Sequence, residues 1–220
     1  TYRASPALYH GLYIAGTIAP REPTAAMKLG TALHARLLEP HIKYVTAGPC
    51  LAPLKSGQRK GEPCGNGGRY YSTGWYCATH APDCSVEPDN VLTPDDAALV
   101  DGMAAALLDD PLTAGILALP GENEKPFLWT DRDTGLPCKC LCDRWIPSKH
   151  LIVNIKTSID TSPEAFARRA YQLGYARTES WYRHGVEVVT GTRPEHLFLV
   201  VRNEPPHEVA TYRYGPREVS

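Results

Sequence analysis

Residues 142–157 read CDRWIPSKHLIVNIKT and contain the pattern from which the fold and the candidate functional residues are predicted. The acid Asp143 comes before a break at Pro147, and the nearly continuous apolar run HLIVNIKT follows. Such a run is typical of a strand buried on both faces of a sheet. It nevertheless carries Asn154 and Lys156, and burying a lone charged group costs several kcal/mol unless a partner compensates it.

Alternation along strands predicts where these polar groups meet. Side chains two residues apart share a face, so Asn154 and Lys156 point the same way. If the strand that ends at Asp143 is a neighbour, the three side chains converge on one spot. A divalent cation with a phosphate would compensate both charges there, and such a cation takes oxygen ligands. The alternative is a structural salt bridge between Asp143 and Lys156 at the edge of the sheet.

Phosphodiester hydrolysis is the chemistry that fits such a group. A bound Mg²⁺ lowers the pKa of a water and polarises the phosphate, and a lysine offsets developing charge. Glu124, upstream in ENEKPFLW, is a candidate further ligand. Glu122 is its rival, and Glu124 could equally be a solvated loop acid.

Composition predicts one packed domain over residues 1–220. The chain is 43% hydrophobic and 21% charged, which favours a globular core over disorder. The formal net charge of −1 gives no global basic field, so DNA binding would need a local basic groove. We find neither an apolar run long enough to span a membrane nor a signal pattern, and we predict a cytoplasmic protein with no membrane contact.

Periodicity and cap signals predict a mixed α/β sheet with flanking helices. The Thr93–Pro94 and Ser162–Pro163 pairs are typical of helix starts, and DRDTG is typical of a hairpin turn. Helices are predicted at 24–39, 93–110, 162–174 and 175–189, and strands at 125–131, 136–145, 150–157, 196–203 and 208–214.

Residues 48–90 are different in character, being rich in Gly, Pro, Cys and Tyr and poor in periodicity. A loop of that length needs something to pin it. Seven cysteines without an export signal favour reduced thiols that hold metal. We predict a zinc-binding insert in which four closed protein ligands make the site structural. The ligands are Cys50, Cys64, Cys77 and His80, with Cys84 as the alternative fourth ligand.

An iron–sulfur cluster is the rival metal centre for the cysteines. Cys138, Cys140 and Cys142 alternate along one strand at spacings of about 7 Å, too splayed to chelate one ion easily. We therefore predict that these three are small buried residues.

Several stretches in order resemble the exodeoxyribonuclease VIII (RecE-type) exonucleases of prophages, which belong to the PD-(D/E)xK nuclease superfamily with lambda exonuclease. They are LGTALHARLLEP, VDGMAAALLDDP, ENEKPFLWTDRDTGLPCKCLCDRW, LIVNIKT followed by SPEAFARRAYQLGY, and NEPPHEVATY. The resemblance covers nearly the whole chain outside 48–90. It implies Mg²⁺-dependent (or Mn²⁺-dependent) degradation of duplex DNA from its ends, phage or prophage origin, a ring-shaped homo-oligomer and a single-strand annealing protein as partner.

The resemblance also implies roles for individual positions. It makes Lys156 the catalytic lysine and Tyr182 a residue near the scissile region, and it places His34 near the metal. His34 could instead be an ordinary partly buried histidine, and Tyr182 could serve packing. The metal-ligand positions are Glu124, Asp143, Asn154 and Ile155.

Two positions depart from the family pattern. Asn154 stands where the family has Asp or Glu, and Thr178 stands where it often has Gln. Asn keeps a carbonyl oxygen but lacks the charge, so a hard cation should be held less tightly. Asn154 is either a natural attenuation or an introduced inactivating change. Glu179, about 100° further around a helix, is expected to be a poor substitute for the missing Gln.

Basic residues could line a groove that contacts phosphates, although any one of them could be ordinary solvated surface. The candidates are Arg177 and Arg183, then Arg168, with Arg169, Lys55, Arg59 and Lys60 in addition.

Three functions remain open at this point. The first is a Mg²⁺-dependent DNA exonuclease. The second is a catalytically silent module that binds DNA ends with a weakened metal site. The third is a zinc-stabilised interaction protein in which Asp143 and Lys156 form only a salt bridge.

Overall fold

The fold is described from a computed structural model that covers residue 10 and residues 15–19, 22–72, 74–82 and 90–215. Within these ranges, no helix is both long and apolar enough to cross a bilayer.

A five-stranded mixed sheet forms the centre of the molecule and confirms the predicted α/β class. Its strands are β5 (Glu122–Thr130), β6 (Pro137–Ile146), β7 (Leu151–Ser158), β8 (Glu195–Arg202) and β9 (Val209–Tyr212). Each strand pairs with the next one along the chain, and within this sheet only the β7–β8 pair is parallel.

Helices cover both faces of this sheet, which is why β7 is apolar on both sides. On one face, α1 (Ala25–Leu38) and α2 (Pro94–Asp109) pack Leu33 and Met103 against Ile155. The opposite face is covered by α4 (Pro163–Leu173) and α5 (Tyr175–Thr190). There, the buried residues Phe127, Trp145, Ile152, Phe166, Val186 and Phe198 form two aromatic-rich clusters.

Helix α3 (Pro111–Ala118) is an element that the sequence analysis did not predict. Its signal was present, because Asp110 caps the Thr113 N–H and Pro111 occupies the first turn. The same combination at Thr93–Pro94 starts α2. Helix α3 is tied to the sheet by buried Arg144, whose guanidinium donates to the Leu119 carbonyl at 2.5 Å.

The cysteine-rich segment leaves the core and returns to it at one place. A two-residue parallel pair joins β1 (Val45–Thr46) to β4 (Val91–Leu92) on either side of the segment. Inside it, β2 (Tyr70–Tyr71) and β3 (Trp75–Tyr76) form a short hairpin. Trp75 packs so closely on the backbone of the segment that a Cβ at Gly48 would lie 2.6 Å from its ring.

Two helical glycines provide a matched test of the packing under α5. A Cβ at Gly185 would lie 2.5 Å from Cζ3 of buried Trp129, whereas a Cβ at Gly115 would meet nothing within 4 Å. We expect Gly185→Ala to lower the free energy of unfolding by about 1–3 kcal/mol through overpacking. Gly115→Ala should raise it by about 0.5–1 kcal/mol. Denaturant unfolding measures both, and equal effects would contradict the packing described.

Candidate metal centre and the polar groups around it

The candidate centre lies where β6 separates from β7. The two strands pair only over Arg144–Ile146, and the β5–β6 ladder omits the one pair formed by Glu124 and Asp143. Past the separation, the Ile155 N–H has no main-chain partner on β6. The Asp143 carboxylate takes that place and accepts the Ile155 N–H at 2.9 Å. The side chain of Asp143 is therefore held at the gap between the strands.

Three potential ligands converge at this gap. His34, Glu124 and Asp143 each offer an atom, and these atoms all lie within 4.8 Å of one another. His34 Nε2 lies 3.5 Å from Asp143 Oδ2, and His34 Nδ1 lies 3.8 Å from Glu124 Oε1. His34 reaches the gap from α1, so the group joins a helix to two strands.

Lys156 and the main chain of Ile155 complete the group. The Lys156 ammonium lies 3.7 Å from Asp143 Oδ2 and donates to the Ile155 carbonyl at 3.1 Å. The same carbonyl lies 3.0 Å from His34 Nε2. The Ile155 side chain is buried in the core, so only the backbone oxygen of this residue can face a ligand. Asp143 and Lys156 thus meet at the same side of the gap.

Glu124 is turned toward the group by an unusual backbone. Its φ of +45° lies in the left-handed region, which costs a residue other than glycine roughly 1–3 kcal/mol. Burial, and then the neighbouring Asp143 charge, raise the pKa of Glu124. The rival acid Glu122 has a half-exposed side chain that pairs with Lys125 at 2.6 Å, outside the group.

Asn154 is buried beside the group with its polar atom unused. It is 3% exposed, and Oδ1 has no hydrogen-bond partner within the described ranges. A buried carbonyl oxygen without a donor costs roughly 1–3 kcal/mol. A cation would satisfy such an oxygen. The imidazole, the two carboxylates and the Ile155 carbonyl form a mainly oxygen donor set that fits a divalent metal, and Asn154 precedes Ile155 on β7.

Helix α5 presents Glu179, not Thr178, to the sheet. Glu179 is 2% exposed, whereas Thr178 is exposed and bonds only to the Gly174 carbonyl of its own helix. Helix α5 is therefore rotated so that Glu179 faces inward and Thr178 faces outward, and the expectation that Glu179 is a poor substitute for Gln stays a prediction. Desolvation raises the pKa of Glu179 to about 7, although Arg183 lies 3.4 Å away.

Tyr182 has both a packing contact and a position near the acids. Its ring packs against the aromatic cluster of β5 and β6. Burial, and then the charge of Asp143, raise the pKa of the hydroxyl to about 12, so it remains a hydrogen-bond donor at neutral pH.

His196 is a buried residue of this region that the sequence analysis missed. It lies opposite Ile152 in the β7–β8 ladder, and both ring nitrogens lack a partner among the described residues. Burial, followed by the charge of Lys156, lowers its pKa to about 3. The only signal in the sequence was a polar residue at the start of an apolar strand, which is a weak one.

The predicted DNA-contacting residues occupy different environments. Arg183 is 17% exposed, pairs with Glu179 and donates to the Pro194 carbonyl at 2.8 Å, so its donors are engaged inside the protein. Arg177 is exposed at the start of α5, and Arg168 and Arg169 line a groove beside α4. In the cysteine-rich segment, Lys55 and Lys60 are exposed and Arg59 pairs with Glu62 at 2.7 Å.

A second convergent group lies in the cysteine-rich segment. One ligand atom from each of Cys50, Cys64, Cys77 and His80 lies within 4.8 Å of the others. His80 Nδ1 is 3.3 Å from Cys77 Sγ and 3.7 Å from Cys50 Sγ. Cys84, the alternative ligand, lies outside the described residues. Cys140 and Cys142 are buried on β6, and Cys138 is partly exposed.

Comparisons with known proteins place this architecture in a class. Residues 12–220 match the family described as "PDDEXK-like domain of unknown function (DUF3799)". A solved structure of a "putative exonuclease" from Eubacterium rectale is similar in fold, with a TM-score of 0.58 and 11% sequence identity. The alignment covers 96% of this chain and 66% of that protein, so the chain spans just under two thirds of its length. Among curated proteins, none matches.

A mixed sheet with an acid and a lysine meeting at a strand gap defines the PD-(D/E)xK class of fold. Within that class, the chain belongs to the PDDEXK-like family DUF3799.

The buried Glu179 predicts a pH-dependent stability difference. An acid whose pKa is raised by folding contributes stability that is present below its unfolded pKa and is lost as pH rises through the folded value, here about 7. Between pH 4.5 and 7.5, the free energy of unfolding of Glu179→Gln relative to wild type should rise by about 1–3 kcal/mol. Urea unfolding at several pH values measures this difference. A gap independent of pH would contradict the prediction.

Proposed function

We propose that this protein is a divalent-metal-dependent nuclease that hydrolyses phosphodiester bonds of DNA. The observation that carries the proposal is the group at the strand gap, in which two carboxylates, an imidazole and an ammonium face one another. A surface salt bridge alone would need only Asp143 and Lys156. The inward turn of Glu124 and the reach of His34 from α1 have a use if the group holds a cation.

His34, Glu124, Asp143 and the Ile155 carbonyl would hold the metal, with Asn154 supplying a neutral oxygen. A cation held by these residues would supply a water of lowered pKa and polarise the phosphate. Lys156, within 4 Å of Asp143, would orient that water and offset negative charge on the phosphate. Tyr182 adds a neutral donor from α5.

The finer activity follows from the resemblance to RecE-type enzymes. We propose Mg²⁺ or Mn²⁺ as the metal and linear duplex DNA ends as the substrate. The Eubacterium rectale protein of similar fold is itself described as a putative exonuclease. Phage-type recombination, an annealing partner, a homo-oligomeric ring and a cytoplasmic location remain predictions that belong to the same proposal.

Asn154 limits this activity in our proposal. Two carboxylates hold a hard cation less firmly than three, so activity should require more metal. The competing function is a silent module that binds DNA ends. The buried, unpartnered Oδ1 of Asn154 favours an attenuated metal site, because a site with no remaining use for the oxygen would gain stability from an apolar side chain.

Substitutions of two acids on β5, of Lys156 and of Asn154 test the nuclease proposal. Glu124→Gln should reduce Mg²⁺-dependent degradation of linear duplex DNA by at least about tenfold, and Lys156→Ala by about a hundredfold or more. Glu122→Gln, which changes the exposed acid two residues away, should leave it unchanged. Asn154→Asp should increase activity and lower the Mg²⁺ concentration needed.

Time courses with EDTA blanks distinguish the outcomes. Degradation that survives Lys156→Ala would rule out this centre. Activity only in Asn154→Asp would show that the natural chain is silent, and DNA retention without cleavage in either form would favour the binding module. Absence of both cleavage and binding would leave the interaction protein.

We further propose that Cys50, Cys64, Cys77 and His80 hold a structural Zn²⁺. The segment buries few apolar side chains, and a metal site supplies the missing stabilisation. Three thiolates and one imidazole form a common tetrahedral zinc set that leaves no open position for catalysis.

Metal analysis tests the zinc site. The purified protein should contain about one equivalent of zinc, and Cys64→Ser should lose most of it while Cys138→Ser retains it. Less than about half an equivalent in the gently purified wild type would count against the site.

A further inference from the structure

A groove opens directly beyond the candidate metal centre. It has a volume of about 350 Å³, within the range of roughly 300–1,000 Å³ typical of small-ligand sites. Thr157 and Ser158, which follow Lys156 on β7, form one wall, and Arg168 and Arg169 of α4 form the other. Ala26 of α1 also lines it.

Helix α1 connects the groove to the metal group. Ala26, Gly30 and His34 are spaced four residues apart and therefore lie on one face of the helix. Ala26 lines the groove and His34 belongs to the metal group, about 12 Å along the helix axis. A Cβ at Gly30 would make only an ordinary 3.8 Å contact with Thr157, so packing does not require glycine there. Because Gly30 has no side chain, it does not fill the space between the groove and the metal group.

The polar groups of the groove suit a phosphate. Arg168 and Arg169 form no ion pair within the described part of the chain, whereas Arg183, Arg193 and Arg202 each pair with a glutamate. Asp160 also lines the groove; its Oδ1 accepts the Ser162 N–H at 2.8 Å, and its charge interacts with those of Arg202 and Arg168. Two arginines against one carboxylate in the lining leave a net positive charge.

The remaining lining favours an unpaired base. Gln172 and Asn203 add amide groups, and Asn203 Oδ1 is buried without a partner within the described ranges. Ile159 lines the groove with 73% of its surface exposed. Tyr171 is not part of the lining, but it is 90% exposed and lies three residues after Arg168 on α4. Apolar and aromatic surfaces beside arginines are the usual means of holding single strands through their bases.

We propose that this groove binds a nucleotide of a single DNA strand that has passed the metal centre, with Arg168 and Arg169 on the phosphate and Ile159 and Tyr171 beside the base. The proposal rests on the proposed nuclease function, since it extends the path of that substrate. A duplex, with its bases stacked inside, could offer phosphates and base edges but no free base face to Ile159 and Tyr171.

Binding in EDTA tests the groove without any cleavage. Fluorescence anisotropy with a short oligothymidylate should show that Arg168→Ala/Arg169→Ala weakens binding roughly tenfold or more and reduces the salt dependence by about 1–1.5 in logarithmic slope. Tyr171→Ala should weaken single-strand binding about fivefold or more, because it removes a stacking surface. Lys149→Ala/Arg193→Ala is the matched control: it removes the same charge at the opposite end of the β7–β8 pair and should change the affinity less than about twofold.

Each contrary result overturns a stated part. Equal losses in both double variants would show a net-charge effect without a groove, and no loss in either would place the strand elsewhere. Preference for duplex over oligothymidylate, or an unaffected Tyr171→Ala, would remove the unpaired nucleotide as occupant. Asp143→Asn should retain oligothymidylate binding while losing cleavage. If the groove proposal is wrong, the two double variants will bind oligothymidylate equally. If the nuclease proposal is wrong, metal-dependent cleavage will be absent.

Discussion

The hydrogen bond from the Ile155 N–H to the Asp143 carboxylate is the constraint on which the candidate centre depends. Where β6 turns away from β7, a buried backbone donor loses its strand partner and must find another. Asp143 provides it, and the same oxygen then lies within 4 Å of both His34 and Lys156. A single break in the ladder thus satisfies the backbone and gathers the charged groups. A continued ladder would have left no gap for them.

Packing on both faces of the sheet stabilises β7 despite the break in its pairing with β6. Two apolar layers, one under α1 and α2 and one under α4 and α5, hold β7 from both sides. Against that background, Asn154, Glu179 and His196 remain buried with atoms that no described group satisfies. Such groups cost stability, and proteins commonly retain them where a ligand or catalysis needs them. These three groups lie on β7, α5 and β8, which is consistent with a site organised at some cost to the fold, and Trp129, Arg144, Arg202 and Asn203 carry such atoms elsewhere in the described structure.

Much of the fold could be predicted from the sequence because its signals are local. Among the described residues, alternation and cap residues located the five central strands and four of the five α-helices. They missed α3, despite its Asp–Pro start, and the two-residue strands β1 to β4. The candidate group was less accessible. The contact between His34 and Asp143 joins positions more than 100 residues apart, and no periodicity encodes it. The helix rotation that buries Glu179 and exposes Thr178 depends on how α5 packs on Trp129, which spacing alone does not determine.

By itself, the sequence determined the class: a buried strand carrying Asn154 and Lys156, an acid on the preceding strand, and a cysteine-rich segment with few apolar residues. These follow from local patterns and from the cost of burying charge. Only the tertiary structure decided that Glu124 and not Glu122 turns inward, that Arg183 is engaged internally, and that Arg168 and Arg169 face a groove. Those outcomes depend on which surfaces pack together, because a side chain's surroundings are set by distant parts of the chain.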